Sequence, residues 1–258
     1  MKTIKIFLAS SEELVADRRD FEIFLNRRNK SLIKEGTFLE LVIWEDFLDA
    51  MSKTRLQDEY NKAIKDADVF ILLFYTKIGK YSEEEFNTAY REFQTNGKPL
   101  IFTYFKDDLG NVTLEESLVQ FKSRLSEMEH FTIVYKNIES LQLHFFGQLE
   151  MLKSTGFMSD SSNNKKPSGT PGVSILDTIK KKIASGDSIA KILDKHRNDI
   201  LALSEDRDME LTMLQSRSSK LEKDVRIGII SSGDAGIERA RIMNSFLYLL
   251  DDIKSEME

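Results

Sequence analysis

The chain has 258 residues, of which 41% are hydrophobic and 31% are charged, and its formal net charge is -6. This size allows one full domain and one smaller domain, and the acidic balance argues against a protein whose main ligand is a nucleic-acid backbone. No stretch approaches the roughly 18 consecutive apolar residues of a membrane span, and the first residues become charged too early for a signal peptide. We therefore expect a cytoplasmic protein without a membrane partner or a direct nucleic-acid partner.

The chain contains no cysteine and only three histidines. The lack of cysteine excludes disulfides, thiolate metal ligands and cysteine nucleophiles in this chain. The histidines, at His130, His144 and His196, are scattered and lack the spacing of metal ligands. We expect neither a metal site nor a Ser-His-Asp triad.

The first part of the chain alternates apolar runs with amphipathic runs, which predicts an α/β domain built on a parallel sheet of five strands. The strands are expected near residues 3–9, 39–44, 68–74, 99–105 and 131–135. The helices are expected near residues 12–33, 53–66, 83–95, 114–127 and 138–152.

A change of composition divides the chain after this domain. Residues 153–173 are rich in serine, asparagine, lysine, proline and glycine, which predicts a flexible linker between a first domain at 1–152 and a second at 174–258. In the second domain, apolar residues recur at helical spacing, which predicts a small bundle of about four helices. So small a bundle would gain stability from assembly with copies of itself or with a partner.

Loops that follow strands are where open α/β sheets bind ligands. The loop after the first strand holds Ser10 and Ser11, and Ser10 with Glu13 has the spacing of a capping box. Free amides at such a helix start would also suit a phosphate. The loop after the second strand holds Trp44, the only tryptophan, beside carboxylates. A tryptophan can be a core anchor or a ligand platform.

The loop after the third strand carries a glycine and then a helix start rich in acids. Tyr81 and Glu85 are four residues apart, so they share a helix face. An aromatic ring beside a carboxylate can hold a flat heterocycle and stabilise a nearby positive charge. Ser82 and Glu85 also have capping-box spacing, so a structural role stays open. The chain contains neither a Gly-x-Gly-x-x-Gly motif nor a P-loop.

These loops and their surroundings resemble a bacterial Toll/interleukin-receptor (TIR) domain over about residues 1–150. The resemblance rests on the segments Phe7 to Ser11, Trp44 to Phe47, Arg55 to Tyr60, Gly79 to Phe86 and Gly97 to Pro99. It implies a flavodoxin-like fold. Enzymatic members of that family hydrolyse or cyclise NAD with a glutamate on the helix after strand three, often preceded by a tryptophan four residues earlier.

By this resemblance the protein is expected to be an NAD+ glycohydrolase with Glu85 as the catalytic residue, and a second activity as an ADP-ribose cyclase stays open. NAD is then a substrate, and no metal or other cofactor is implied. Tyr81 stands where tryptophan is common, which is a departure from the family pattern. Many TIR enzymes complete their pocket across a subunit contact, which implies self-association. The implied substrate-binding residues are Phe7, Ala9, Ser10, Ser11, Trp44, Asp46, Lys77, Gly79 and Tyr81.

The last part of the chain resembles an effector-associated domain, a helical adaptor of prokaryotic conflict systems that is thought to pair with similar domains on other proteins. The resemblance rests on Leu214 to Arg217, Leu221 to Ser231, Ile237 to Ile242 and Leu247 to Asp251. It implies an immune-type effector whose residues 174–258 recruit a protein partner. Three alternatives stay open: a non-enzymatic TIR scaffold that associates through the loop 44–51, a nucleoside hydrolase of related topology, and a generic helical dimerisation module at the end of the chain.

Overall fold

The computed structural model describes residues 1–46, 56–107, 113–158 and 171–257. Contacts between Cα atoms divide the chain into two compact units. The first unit comprises Met1–Asn29 and Thr37–Ile138, and the second comprises Lys30–Gly36 and Glu139–Glu258. The centre of the predicted linker, residues 159–170, lies outside the described residues.

The first unit is built on a five-stranded parallel sheet, which confirms the predicted fold class. Its strand order is β2-β1-β3-β4-β5, the order of flavodoxin-like sheets. Because the chain reverses its winding direction between β1 and β3, the carboxyl ends of these two strands border a ligand-binding crevice in folds of this kind. The strands are β1 Lys2–Ser10, β2 Thr37–Val42, β3 Val69–Phe74, β4 Leu100–Lys106 and β5 Thr132–Tyr135.

The helices of the first part lie close to the predicted positions, and the described residues beyond 171 form four helices of three turns or more, as the predicted bundle requires. Their bounds are α1 Val15–Leu32, α2 Leu56–Asp66, α3 Lys80–Asn96, α4 Glu116–Glu127, α5 Ile138–Ser154, α6 Pro171–Ala184, α7 Ile189–Leu201, α8 Asp208–Arg226 and α9 Ser232–Met257. Helix α3 ends at Gly97, whose positive φ of 70° is the left-handed conformation that favours glycine at a helix end.

Aromatic packing fixes helix α3 against the sheet. All six residues of β3 are buried, as expected for a strand covered on both faces. Phe74, at the end of β3, lies 5.1 Å from the rings of both Phe105 and Phe121. Phe86 of α3 meets Phe121 edge to face at 5.0 Å between ring centres. The helix after β3 is therefore held in one rotation by its buried aromatic face.

The second unit is all-helical beyond residue 171, which confirms the predicted C-terminal fold class. Contacts in the structure group helix α5 with α6 to α9, whereas the sequence pattern placed α5 with the first domain. One reason is that Asn244 of α9 donates a hydrogen bond of 2.8 Å to the carbonyl of Glu139. Ile242, Phe246 and Leu250 are buried in the unit.

Two buried lysines form ion pairs within the second unit. Lys180 of α6 donates a hydrogen bond to Asp251 of α9 at 2.6 Å, and both side chains are buried. Lys254 is also buried and contacts Glu35 at 2.5 Å and Asp177 at 3.1 Å. Burial alone would raise the pKa of Glu35, but Lys153 and Lys254 hold that pKa below its usual value. The bundle therefore depends on charge pairing as well as on apolar packing.

Among the helices of the described ranges, none combines the length and the hydropathy that a membrane span requires.

Candidate functional site

The candidate site lies at the carboxyl edge of the sheet, where helices α2 and α3 begin. Both helices start at this edge because each runs antiparallel to the strands. Helix α3 begins after Gly79, which has φ -76° and ψ 152°. The carbonyl of Gly79 accepts the first helical hydrogen bond, from the amide of Glu83 at 3.1 Å. Glu85 therefore lies one to two turns into α3, close to this edge.

Glu85 is a buried carboxylate, with 7% of its surface exposed. Burial raises the pKa of its carboxyl to about 7, while Gln57 lowers the pKa and the neighbouring Glu84 raises it. Burial dominates because a carboxylate loses hydration when it leaves water. A positive charge that came close to Glu85 would favour its ionised form and lower the pKa again.

Gln57 of α2 lies beside Glu85 and is also buried. It is close enough to stabilise the charged carboxylate, but its Nε2 atom donates no hydrogen bond of normal geometry to any described group. A buried amide donor without a partner costs free energy, of the order of 1–3 kcal/mol. Gln57 and Glu85 together therefore offer one polar donor and one acceptor that a ligand hydroxyl could satisfy.

The adjacent Glu84 has a different role. Asn61 of α2 donates a hydrogen bond of 2.9 Å to Glu84, and Thr88 donates one of 3.2 Å to Asn61. These bonds join α2 to α3 beside the candidate site. Glu84 is thus engaged in holding two helices together, whereas Glu85 has Gln57 as its neighbour, whose Nε2 atom has no hydrogen-bond partner among the described residues.

Arg18 of α1 joins the loops that follow β1 and β2. Its Nη1 atom donates to Ser10 Oγ at 2.5 Å and to the Ser11 carbonyl at 3.0 Å. Its Nε and Nη2 atoms donate to Glu45 Oε1 at 3.1 and 2.7 Å. The guanidinium also lies 5.3 Å from the ring centre of Trp44. One buried cation therefore orders both loops, and the site prediction did not include it.

A signal for Arg18 exists in the sequence. Leu14, Arg18, Phe21 and Leu25 recur at steps of four, three and four residues, and all four are buried. The same periodicity that predicts a buried helix face thus places Arg18 on it. Gln57 has no comparable signal, because its role depends on the packing of α2 against α3.

The two predicted capping boxes are wrong. Ser10 accepts a hydrogen bond from Arg18, and Glu13 contacts Ser11 and Thr76, so the Ser10 and Glu13 pair does not form. Ser82 is buried in the third position of α3, because the helix begins at Lys80 rather than at residue 83. Glu85 therefore has no capping function.

The structure places the predicted substrate-binding residues in different surroundings. Phe7 is buried and stacks on Phe70 with 5.9 Å between ring centres, so its side chain offers no surface to a ligand. Ala9 is also buried and pairs with Leu72 in the sheet. The side chain of Asp46 and residues 47–55 lie outside the described part of the chain.

Two aromatic side chains are open at this edge. Tyr81 is 60% exposed and Trp44 is 39% exposed. Lys77 is also exposed, and Gly79 is half-buried before the start of α3. Tyr81 and Glu85 both lie on helix α3, four residues apart, as the sequence predicts. The site thus combines a buried carboxylate with accessible aromatic surface.

A second polar cluster lies at the carboxyl ends of β4 and β5. Asp17 accepts hydrogen bonds from Tyr135 Oη at 2.6 Å and from Lys106 Nζ at 2.9 Å. Lys106 also lies 5.6 Å from the ring centre of Tyr75. Burial and the Asp17 charge raise the pKa of Tyr135 above its usual value. The groups in this cluster bond to one another, which suits a structural role.

Among the residues the structure describes, no group of three or more histidine, cysteine, aspartate or glutamate side chains could hold a metal ion.

Comparison with known proteins finds a family that the C-terminal part of the chain resembles. The model of the family Effector-associated domain 11 matches residues 174–254, which span most of α6 to α9. Domains of this kind are protein-interaction adaptors typical of bacterial conflict systems. The comparison with curated proteins gives no match. The chain therefore joins a parallel α/β domain, whose fold is compatible with a TIR domain, to a region similar to Effector-associated domain 11.

Proposed function

We propose that the first unit is a TIR-type enzyme that cleaves the bond between nicotinamide and ribose in NAD. The observation that carries this proposal is the Glu85 carboxylate, which is buried on α3 close to the carboxyl edge of the sheet and has a pKa raised to about 7. Glu85 has no cationic partner among the described residues, so burying its charged form costs folding free energy. Carboxylates with pKa values perturbed in this way are candidates for functional sites.

In the proposed reaction, the glycosidic bond breaks and positive charge develops on the ribose ring. The electron pair of the bond leaves with nicotinamide, which departs as a neutral base. The Glu85 carboxylate stabilises the cationic ribose, as carboxylates do in glycoside hydrolysis. Water then adds to the ribose carbon and releases a proton, which gives ADP-ribose. Attack by the adenine ring instead of water would give the cyclic product.

The surrounding residues would bind the rest of the substrate. Tyr81 and Trp44 offer exposed rings on which nicotinamide or adenine can stack. Gln57 would donate a hydrogen bond to a ribose hydroxyl beside Glu85. The amides at Ser10 and Ser11 and the exposed Lys77 would bind the diphosphate, and Arg18 would hold the first of these loops in place.

The C-terminal unit would bring this enzyme to a protein partner. This part of the proposal rests on the similarity of residues 174–254 to a family of adaptor domains. We also propose that the first units associate with one another and that association completes the pocket. The protein would then act as an effector of a bacterial conflict system whose activity rises when copies are brought together.

The test is to incubate the purified full-length chain with NAD and to measure nicotinamide, ADP-ribose and cyclic ADP-ribose by chromatography. The assay should cover a hundredfold range of protein concentration and include a sample clustered by crowding agent. We expect nicotinamide release with specific activity that rises on clustering. Absence of release in every sample would contradict the proposal.

Two controls separate the alternatives. Nicotinamide riboside lacks the diphosphate and adenosine, so a nucleoside hydrolase would cleave it at least as well as NAD. A TIR scaffold would self-associate without cleaving either compound. The proposed NAD cleavage predicts a clear preference for NAD, because the predicted diphosphate contacts contribute binding only to the dinucleotide.

A further inference from the structure

The outward face of helix α8 carries an unusual combination of side chains. Its buried face consists of Leu211, Leu214, Ser218 and Leu221. The opposite face, which we call the outer stripe, repeats at steps of four, three, four, three and four residues. Its members are Met209, Met213, Ser216, Lys220 and Lys223 on α8, followed by Ile227 directly after the helix end.

Apolar side chains on the outer stripe are strongly exposed. Met209 is 75% exposed, Met213 is 59% exposed and Ile227 is 54% exposed. From Met209 to Ile227 the stripe is about 27 Å long at 1.5 Å per residue. Single exposed apolar residues are ordinary, but two in one register on α8 and a third in line directly after the helix indicate a surface that contacts another molecule.

The same stripe carries cations without ion pairs. Lys220, Lys223 and the adjacent Arg226 are exposed, and none makes an ion pair with a described residue. Asp224, the carboxylate beside them, is half-buried. Other arginines of this unit are paired, as shown by Arg197 with Asp208, Arg207 with Glu210 and Glu256, Arg217 with Glu238, and Arg239 with Glu222.

From this pattern we propose that the outer stripe of α8 binds an acidic amphipathic helix of a partner protein. The alternating steps of three and four residues match the contact spacing between packed helices. The methionines adapt to varied apolar side chains. The free cations would face carboxylates on the partner and select it by charge. This inference rests on the proposed recruitment role of the C-terminal unit and does not depend on NAD cleavage.

Two other classes of partner fit the stripe less well. A nucleic-acid surface would leave Met209 and Met213 against phosphates, where they gain little. A membrane-binding helix needs a continuous apolar face, but here Ser216 and two lysines separate the methionines from Ile227. A partner helix can satisfy both kinds of residue, because it presents apolar and acidic side chains in the same period.

The experiment uses the full chain and a displayed library of peptide helices of about 20 residues, a length that spans the stripe at 1.5 Å per residue. Each peptide has apolar residues at steps of three and four, and its flanking positions are randomised over Glu, Lys, Gln and Ser. Selection is run in parallel on the wild type, on the triple variant K220E/K223E/R226E, and on Lys195→Glu, which reverses an exposed lysine of α7 as a matched control.

We expect wild type and Lys195→Glu to enrich Glu at the flanks, and the triple variant to enrich Lys instead. An enriched acidic peptide should lose at least tenfold in affinity for the triple variant and for Met213→Ser. Enrichment of the same peptides on all three proteins would overturn the proposal. Binding to anionic lipid vesicles that the triple variant abolishes, without any selective peptide enrichment, would overturn it in favour of a membrane surface. Self-association that Met213→Ser abolishes, again without enrichment, would overturn it in favour of a second copy of this chain.

Discussion

Asn61 on helix α2 donates a hydrogen bond of 2.9 Å to Glu84 on helix α3, so Glu84 serves the contact between the two helices. The next residue, Glu85, is buried beside Gln57 and has its pKa raised to about 7. Two neighbouring carboxylates therefore have different physical roles. This difference makes Glu84 a matched control for every test of Glu85.

Glu85→Gln should stabilise the protein at alkaline pH. The folded-state pKa of Glu85 is raised, so its neutral form is favoured and folding stability falls as pH rises from about 4.5 to about 7. Gln has no charge to desolvate, so the variant should gain up to about 3 kcal/mol near pH 8 and almost nothing near pH 4. Urea unfolding at both pH values measures the difference. An equal change in unfolding free energy at both pH values would contradict the raised pKa of the buried Glu85.

The value of kcat/KM for NAD cleavage should depend on the ionisation of Glu85. The reaction needs the carboxylate, so kcat/KM should rise about tenfold per pH unit below pH 7 and level off above it. Initial rates at low NAD concentration across a pH series give the profile.

Gln57→Leu provides the control for this profile. Gln57 lowers the pKa of Glu85, so its removal should move the rising part of the profile to higher pH. Asn61→Leu disturbs the same helix contact through Glu84 and should leave the midpoint in place. A midpoint that moves equally in both variants would mean that the profile reports helix packing rather than Glu85.

Arg18→Met should release the loops that follow β1 and β2. It removes hydrogen bonds to Ser10, Ser11 and Glu45, and we expect a loss of about 1–3 kcal/mol in unfolding free energy. Trp44 is the only tryptophan, so its emission should shift to longer wavelength as the ring gains exposure. Arg19→Met, at an exposed position of the same helix, is the control. Unchanged emission in Arg18→Met would contradict the assigned contact.

Breaking the buried pair in the C-terminal unit should cost more than breaking an exposed one. Lys180→Met leaves Asp251 buried without its cation, and we expect a loss of about 3 kcal/mol or more. The double variant K180M/D251L should recover much of this loss, since it removes both charges. Arg239→Gln, in an exposed pair with Glu222, should cost less than about 1 kcal/mol. Urea unfolding followed by far-UV circular dichroism ranks the three, and equal losses would contradict the ranking.

The sequence was sufficient for the order and type of the elements, because the apolar run of β3 and the helical spacing beyond residue 171 depend on local pattern alone. It failed for the caps at Ser10 and Ser82. A serine three residues before a glutamate can cap a helix. Here Ser10 instead accepts a hydrogen bond from Arg18, and Ser82 is buried within α3. Tyr81 and Glu85 stood out through their position after the third strand, whereas the catalytic role of Glu85 came from family resemblance and stays a prediction. Gln57 was not found, because 28 positions separate it from Glu85 and only helix packing joins them.

The most direct measurement of the central claim is NAD turnover by Glu85→Gln and Glu84→Gln beside the wild type, all three full-length, clustered in the same way and assayed by nicotinamide release. Loss of the Glu85 charge should lower turnover at least about 100-fold, because charge stabilisation in a buried site is worth several kcal/mol. Glu84→Gln keeps an acceptor for Asn61 and should stay within about threefold of wild type. Turnover above about a tenth of wild type in Glu85→Gln, or an equal loss in Glu84→Gln, would contradict the assignment of Glu85 to the chemistry.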